Sequence, residues 1–155
     1  MASVTIHSAG IIGLDAFKVD VEVDATPGLH FFNIVGLPSK SIEESKDRIV
    51  SAIRNSGFKT PSQLNRRVIV NLAPANIRKE GPGYDLPIAI AYLLATGQIS
   101  FDPSAKLFLG ELSLSGQLRK IVGILPVALA APTFSIHDLI VPIDNLAESV
   151  IVTGV

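Results

Sequence analysis

The segment NIRKEGPGYDLPIAIAYLLATG, Asn76 to Gly97, sets the charged run Arg78-Lys79-Glu80 in front of Gly81-Pro82-Gly83-Tyr84, and a long apolar stretch follows. A glycine-bracketed loop opening onto a helix is a place where proteins hold a nucleophile or cradle a phosphate. Each chemistry demands particular groups. A phosphate loop needs G-x-x-x-x-G-K-[ST], so that backbone amides and a lysine surround the phosphates. That pattern is absent, and the near misses GLPSKS (Gly36–Ser41) and GFKT (Gly57–Thr60) lack its Gly-Lys-Ser/Thr core. A metal site needs clustered donors, but His7, His30 and His137 are scattered with no second ligand at binding spacing. A nucleophile elbow G-x-S-x-G is missing too. Its closest approach is LSLSGQL (Leu112–Leu118), where Ser115 falls at a turn between strands.

Composition narrows the classes further. The 155 residues suit one domain with a sizeable core. Although 48% of them are hydrophobic, the longest apolar runs, Leu86–Ala95 and Ile121–Phe134, contain proline and fall short of the ~18 residues that a bilayer span requires. The start MASVTIHSAG has no basic region ahead of an apolar one, so nothing marks it as a secretory signal. There is no cysteine, hence no disulfide and no thiolate ligand. A cytoplasmic protein without membrane partners is the expectation. The net charge of −1 argues against strong, purely electrostatic binding of nucleic acid, and two Tyr and no Trp leave few stacking platforms. The basic pairs Arg66-Arg67, Arg78-Lys79 and Arg119-Lys120 read as solvated strand ends and loops.

The elements that must position this loop are legible as periodicities. FKVDVEVD (Phe17–Asp24) alternates strictly and predicts a strand with one wet face. The turn residues Pro27-Gly28 and the apolar HFFNIVGLP that follows predict a hairpin between these two strands, after an earlier strand over Val4–His7. Ser41 and Glu44 match an S-x-x-E capping box, with Ile42, Ile49, Val50 and Ile53 as the buried stripe and Gly57 as the stop. The run Val68–Val70 predicts a central strand apolar on both faces. A second helix spans Asp85–Thr96, with Asp85 as its N-cap and Gly97 as its end, and is apolar nearly all round. KLFLGELSLSGQL predicts two strand pieces around Gly110 or Gly116, GILPVALAA a helix, and DLIVPIDN a last strand with its exit loop. The class is α/β or α+β with a mixed sheet. The final ESVIVTGV predicts the start of another strand, as in a piece of a longer protein.

Against these elements, KEGPGYDLPIAIAYLLATG resembles the Lys-Asp-Gly-Pro-Ser-Ala-Gly segment of Lon-type proteases, in which the serine begins a helix. GELSLSGQLRKIVGILPVALAA (Gly110–Ala131) and LIVPIDN (Leu139–Asn145) resemble later Lon segments. Aligned without gaps, the nucleophile's position is Gly83 and that of the catalytic lysine is Leu125. A Ser–Lys dyad needs a hydroxyl to attack and an amine to take its proton. Gly83 and Leu125 supply neither, and Ser115 and Lys120 do not stand at the matching positions.

From about Val4 onward, SVTIHSAGIIGLDAFKVDVEVDATPGLHFFNIVGLP, SIEESKDRIVSAIRNSGF, RVIVNLAPANIRKEGPGYDLPIAIA and GELSLSGQLR are similar to the N-terminal domain of the YifB/ComM family of Mg-chelatase-like bacterial AAA+ proteins. The resemblance implies a Lon-protease-like domain of ribosomal protein S5 domain 2-like fold, residues 1–155 forming one domain ahead of an ATPase module. It further implies that ATP and Mg²⁺ bind in that module and none in this chain, that the full protein forms hexameric rings, and that ComM members act as DNA branch-migration helicases in natural transformation. A related Lon-like domain in the RadA recombination ATPase contributes to ring formation and DNA contact. Under this reading Gly83 lets the chain turn onto Asp85, while Lys79, Glu80 and Tyr84 are exposed beside it and Arg119 and Lys120 lie on a neighbouring loop, together the candidate contacts for DNA or a partner. A peptidase with an unorthodox dyad and a stand-alone structural domain are the alternatives.

Overall fold

The computed structural model describes residues 3–151. Its strands are β1 (Ser3–Ile12), β2 (Asp15–Pro27), β3 (Phe31–Val35), β4 (Arg66–Ala73), β5 (Lys106–Phe108), β6 (Glu111–Leu112), β7 (Leu118–Arg119) and β8 (Asp138–Ile140). Its α-helices are α1 (Lys40–Asn55), α2 (Asp85–Ala95), α3 (Ile124–Ala130) and α4 (Leu146–Ser149). Six strands form one sheet in the order β3-β4-β2-β1-β5-β8, and β6 and β7 make a separate hairpin. In the large sheet β3 is parallel to β4, and β1, β5 and β8 are mutually parallel along the ladder. β2 is antiparallel to both its neighbours, so the sheet is mixed, as expected.

The alternation in β2 does what a half-wet strand must. Val19, Val21 and Val23 are wholly buried, while Glu22 and Asp24 face solvent. The hairpin, however, is not the expected one. β2 pairs with β1 through the two-residue turn Gly13-Leu14, and β4 lies between β2 and β3. The Pro27-Gly28 turn does reverse the chain, but local turn chemistry sets a direction and not a neighbour. The strand whose Val68, Val70 and Leu72 need cover on the helix side takes the inner place. β4 itself has one buried face rather than two, since Ile69 and Asn71 are only partly covered.

α1 buries Ile42, Ile49, Ala52 and Ile53 on the stripe that its period predicts, and Val50 lies at the edge of that stripe. Gly57, with a φ of 85°, closes it by donating its N–H to the Arg54 carbonyl. The start differs from the capping box. Ser39 is the N-cap, Ser41 lies inside the first turn, and its hydroxyl bonds to Ser39 Oγ instead of to a free amide. The backbone carbonyl of Ser39 already accepts from the Ile42 and Glu43 amides, which leaves the reciprocal box no role. α2 is buried almost all round, against β1, β2 and α1. On β5, Leu107 and Phe108 point to opposite faces and join different apolar clusters, so α3 covers the face away from α1 and α2. The segment Glu148–Ile151 is the end of α4 and a turn, not a strand, and residues 152–155 lie outside the described part.

Asp85 is not an N-cap. A 3₁₀ turn, Pro82–Tyr84, precedes α2, and Asp85 is the helix's first residue with its carboxylate turned inward. Arg48 of α1 donates to it through Nε at 2.8 Å and through a terminal nitrogen at 3.1 Å, and the Leu112 amide of β6 donates at 3.0 Å. Asp85→Ala strands the Arg48 cation and the Leu112 amide and should cost about 3–5 kcal/mol in urea unfolding. The double change Arg48→Met/Asp85→Leu should recover part of that loss, because no charge is then left unpaired.

Candidate functional site

The loop that follows β4 is held down from below. Lys79 is 0% exposed, and its ammonium donates to the Gly36 carbonyl at 2.8 Å and to the Pro74 carbonyl. Its backbone bonds both ways to the β3–α1 connection, with Lys79 N–H to Leu37 O at 3.1 Å and Ser39 N–H to Lys79 O at 2.9 Å. Gly36 allows this approach. A Cβ there would fall 2.2 Å from the Leu72 carbonyl oxygen, and its φ is 98°. Lys79 is therefore a staple between the ends of β3 and β4, not the exposed contact expected of it. The reason is that unpaired carbonyls where two strands end need a donor, and the long lysine stem packs as it supplies one.

Tyr84 also departs from expectation. It is 2% exposed, its hydroxyl has no hydrogen-bond partner, and burial pushes its pKa up. The ring fills the space that Gly10 leaves open. A Cβ on Gly10 would sit 2.7 Å from the hydroxyl oxygen and 2.4 Å from Phe17 Cζ. Glu80 is exposed as expected and pairs with Arg78 at 3.3 Å. Arg119 is exposed on β7, and Lys120 lies 3.9 Å from Glu148.

A cleft of about 690 Å³ opens between this loop, the end of β1 and the segment Lys120–Gly123. Glu80, Tyr84 and Lys120 line it, so three of the five candidate residues meet at one place, whereas Lys79 lies beneath and Arg119 is not part of the wall. Gly83 is in the wall, and a Cβ added to it would meet Leu109 and Ile121 at 3.3 and 3.5 Å. Leu125, on the first turn of α3, does not line the cleft and is 38% exposed. The two dyad positions thus bring neither the groups nor a shared wall. Ser113 and Ser115 bond to each other at 2.9 Å in the β6–β7 turn, in the turn-forming role expected of Ser115. His7 pairs with Asp20 at 2.8 Å, and no group of metal-binding side chains occurs among the described residues. The cleft walls from β1 and β2, Gly10, Ile11, Ile12 and Phe17, were not foreseen, because within the sequence they read only as strand.

With this geometry in place, kinship can be read. The sequence model of the family described as subunit ChlI of Mg-chelatase matches residues 21–145. The chain belongs to this family. It is 40% identical over 154 residues, 99% of its length, to competence protein ComM of Haemophilus influenzae. It is 39% identical over 150 residues, 96% of its length, to protein YifB of Escherichia coli. These matches take up 30% and 29% of the two relatives, so the chain spans less than a third of their length. A weaker likeness, 29% identity over 116 residues and 73% of the chain, joins it to 13% of a Lon protease from Leptospira interrogans. The resemblances to ComM, YifB and Lon seen in the sequence are thereby borne out. Among the described residues no helix is long and apolar enough to cross a membrane.

The staple makes a testable claim. Lys79→Met leaves the Gly36 and Pro74 carbonyls without their donor and should cost roughly 2–4 kcal/mol in denaturant unfolding. Burial holds the Lys79 pKa below the ordinary value of 10.5, so the folded chain binds this proton less tightly than the unfolded one. The stability of the wild type relative to Lys79→Met should therefore rise with pH through the window that ends near 10.5.

Proposed function

We propose that this chain is a non-catalytic domain of a Mg-chelatase-like AAA+ ATPase, serving ring assembly and contact with DNA. The observation that carries the reading is the cleft beside the glycine loop, which has the placement of a nucleophile site but offers Gly83 where a hydroxyl would attack and no amine at Leu125. Its other polar groups do not supply the dyad. Glu80 is paired with Arg78, the Lys120 amine lies 3.9 Å from Glu148 and has no hydroxyl at Gly83 to serve, and Tyr84 is buried with its pKa raised, the opposite of activation. ATP and Mg²⁺ do not fit the residues present, since no Gly-Lys-Ser/Thr loop exists. They belong to an ATPase module elsewhere in the parent protein, which also forms the homo-hexamer. The relative's name, competence protein, favours a role in DNA uptake or processing.

A peptidase is the competing reading, and the cleft argues against it even when the missing groups are restored. Gly83→Ser would set its Cβ against Leu109 and Ile121, and Leu125 does not stand in the cleft wall. Neither the wild type nor Gly83→Ser/Leu125→Lys should react with a fluorophosphonate probe, and covalent labelling of the wild type would refute the non-catalytic reading.

Contact with DNA falls to the exposed Arg119 and Lys120, because buried Lys79 cannot reach a phosphate. A ring multiplies weak contacts of this kind. In the full-length parent protein, Arg119→Ala/Lys120→Ala should weaken DNA binding and flatten its salt dependence. Unchanged binding at every salt concentration would remove these residues from the DNA surface.

A further inference from the structure

The turn joining β1 to β2 is unusual in what it shows to water. Leu14 is 90% exposed and Ile12 57%, at the tip of a hairpin that projects beyond the sheet. The apolar surface does not stop there. Ile11 packs against Gly123, where an added Cβ would meet Ile11 Cγ1 at 3.0 Å, and the adjacent Val122 is 99% exposed. Leu125 and Leu129, one turn apart, carry the same surface along the outer side of α3. Ile11, Ile12 and Val122 line the cleft, and the exposure of the six side chains together equals nearly four fully bare aliphatic residues. That is on the order of 600 Å², at the upper limit of what a monomer ordinarily leaves uncovered.

We infer that this surface is a two-fold interface between copies of the chain, in which the Ile12-Gly13-Leu14 tip of one protomer seats in the cleft of its partner and the partner's tip seats in its own. Three observations favour a second copy over another occupant. The six side chains alone expose on the order of 600 Å², a large part of the roughly 800 Å² per partner of a standard interface. Knob and hole adjoin on one protomer, since Ile11 and Ile12 are themselves cleft walls, and a two-fold contact requires such a self-complementary patch. The rim carries both signs, Arg78 and Lys120 with Glu80 and Glu111, and Asp15 flanks the tip. A rim of mixed sign can pair with a rotated copy of itself.

This contact is independent of the ring assembly proposed above. A ring joins two different surfaces head to tail, while this interface uses one surface twice. Sedimentation velocity of the 155-residue chain up to about 200 µM tests it. The wild type should sediment as a dimer, and Leu14→Asp and Val122→Asp should each sediment as monomers, with thermal melting equal to that of the wild type at concentrations where it too is monomeric, since both side chains are solvated in the protomer. Leu29→Asp, equally exposed but next to the outer strand β3, should leave the dimer intact. A wild type that stays monomeric, or dimers that survive both cleft-side changes, would overturn the inference. Dissociation by Leu29→Asp alone would move the contact to the β3 edge, overturning it equally while leaving the ring reading untouched.

Discussion

Three parts of the chain meet at the carboxylate of Asp85. It binds Arg48 from α1 and the Leu112 amide from β6, and it opens α2. Taking these charges out of water costs several kcal/mol per ion, so the pair gains little over a packed apolar contact. What it supplies is position. Burial pushes the Asp85 carboxyl up, while Arg48 and the Leu112 amide draw it back, and the bond to Asp85 holds the Arg48 guanidinium above its ordinary value. With two donors from an always-charged guanidinium and one from the backbone, the ionised pair is satisfied in one arrangement only. That arrangement fixes where α2 begins, and hence where Gly81–Tyr84 must lie.

The loop is fixed from its other side by Lys79. An ammonium that caps strand-end carbonyls cannot also serve as a mobile surface charge, and in a dry site the amine holds its proton less tightly than in water. Between Lys79 and Asp85 the chain has five residues in which to form a cleft wall, and it does so with two glycines, a proline and a buried tyrosine. The result is a rigid rim around an apolar hollow. Rigidity of this kind suits an attacking group, but it suits equally a seat for a protein surface, and the side chains decide between them. Here the walls are mostly apolar, with Phe17 and Tyr84 among the aliphatic side chains, and on the rim Arg78 pairs with Glu80.

The likeness to Lon proteases is therefore one of backbone and framework more than of chemistry. The segment shares Gly81 and Pro82 with the Lon pattern, and Gly81 has a φ of 88° that suits the turn into the helix. A nucleophile is a single side chain with no such burden, and a scaffold keeps its shape without one.

How much could be read without coordinates follows from the range of each interaction. Strand alternation in β2, the buried stripe of α1, the all-round burial of α2 and the helix stop at Gly57 are governed by neighbours within a few residues, and the sequence alone determines them. The residues at the two positions matched to the Lon dyad, Gly83 and Leu125, likewise need only an alignment to be read. Which strands pair, by contrast, is settled by competition for the inner places of the sheet, and β4 enters between β2 and β3 from about forty residues away. Lys79 looked like a solvated charge because its acceptors, Gly36 and Pro74, are brought to it only by that pairing. Asp85 looked like a helix cap because Arg48 is 37 positions distant. The cleft, whose walls come from four separated segments, belongs to the tertiary structure entirely, since no local pattern records which surfaces will face one another.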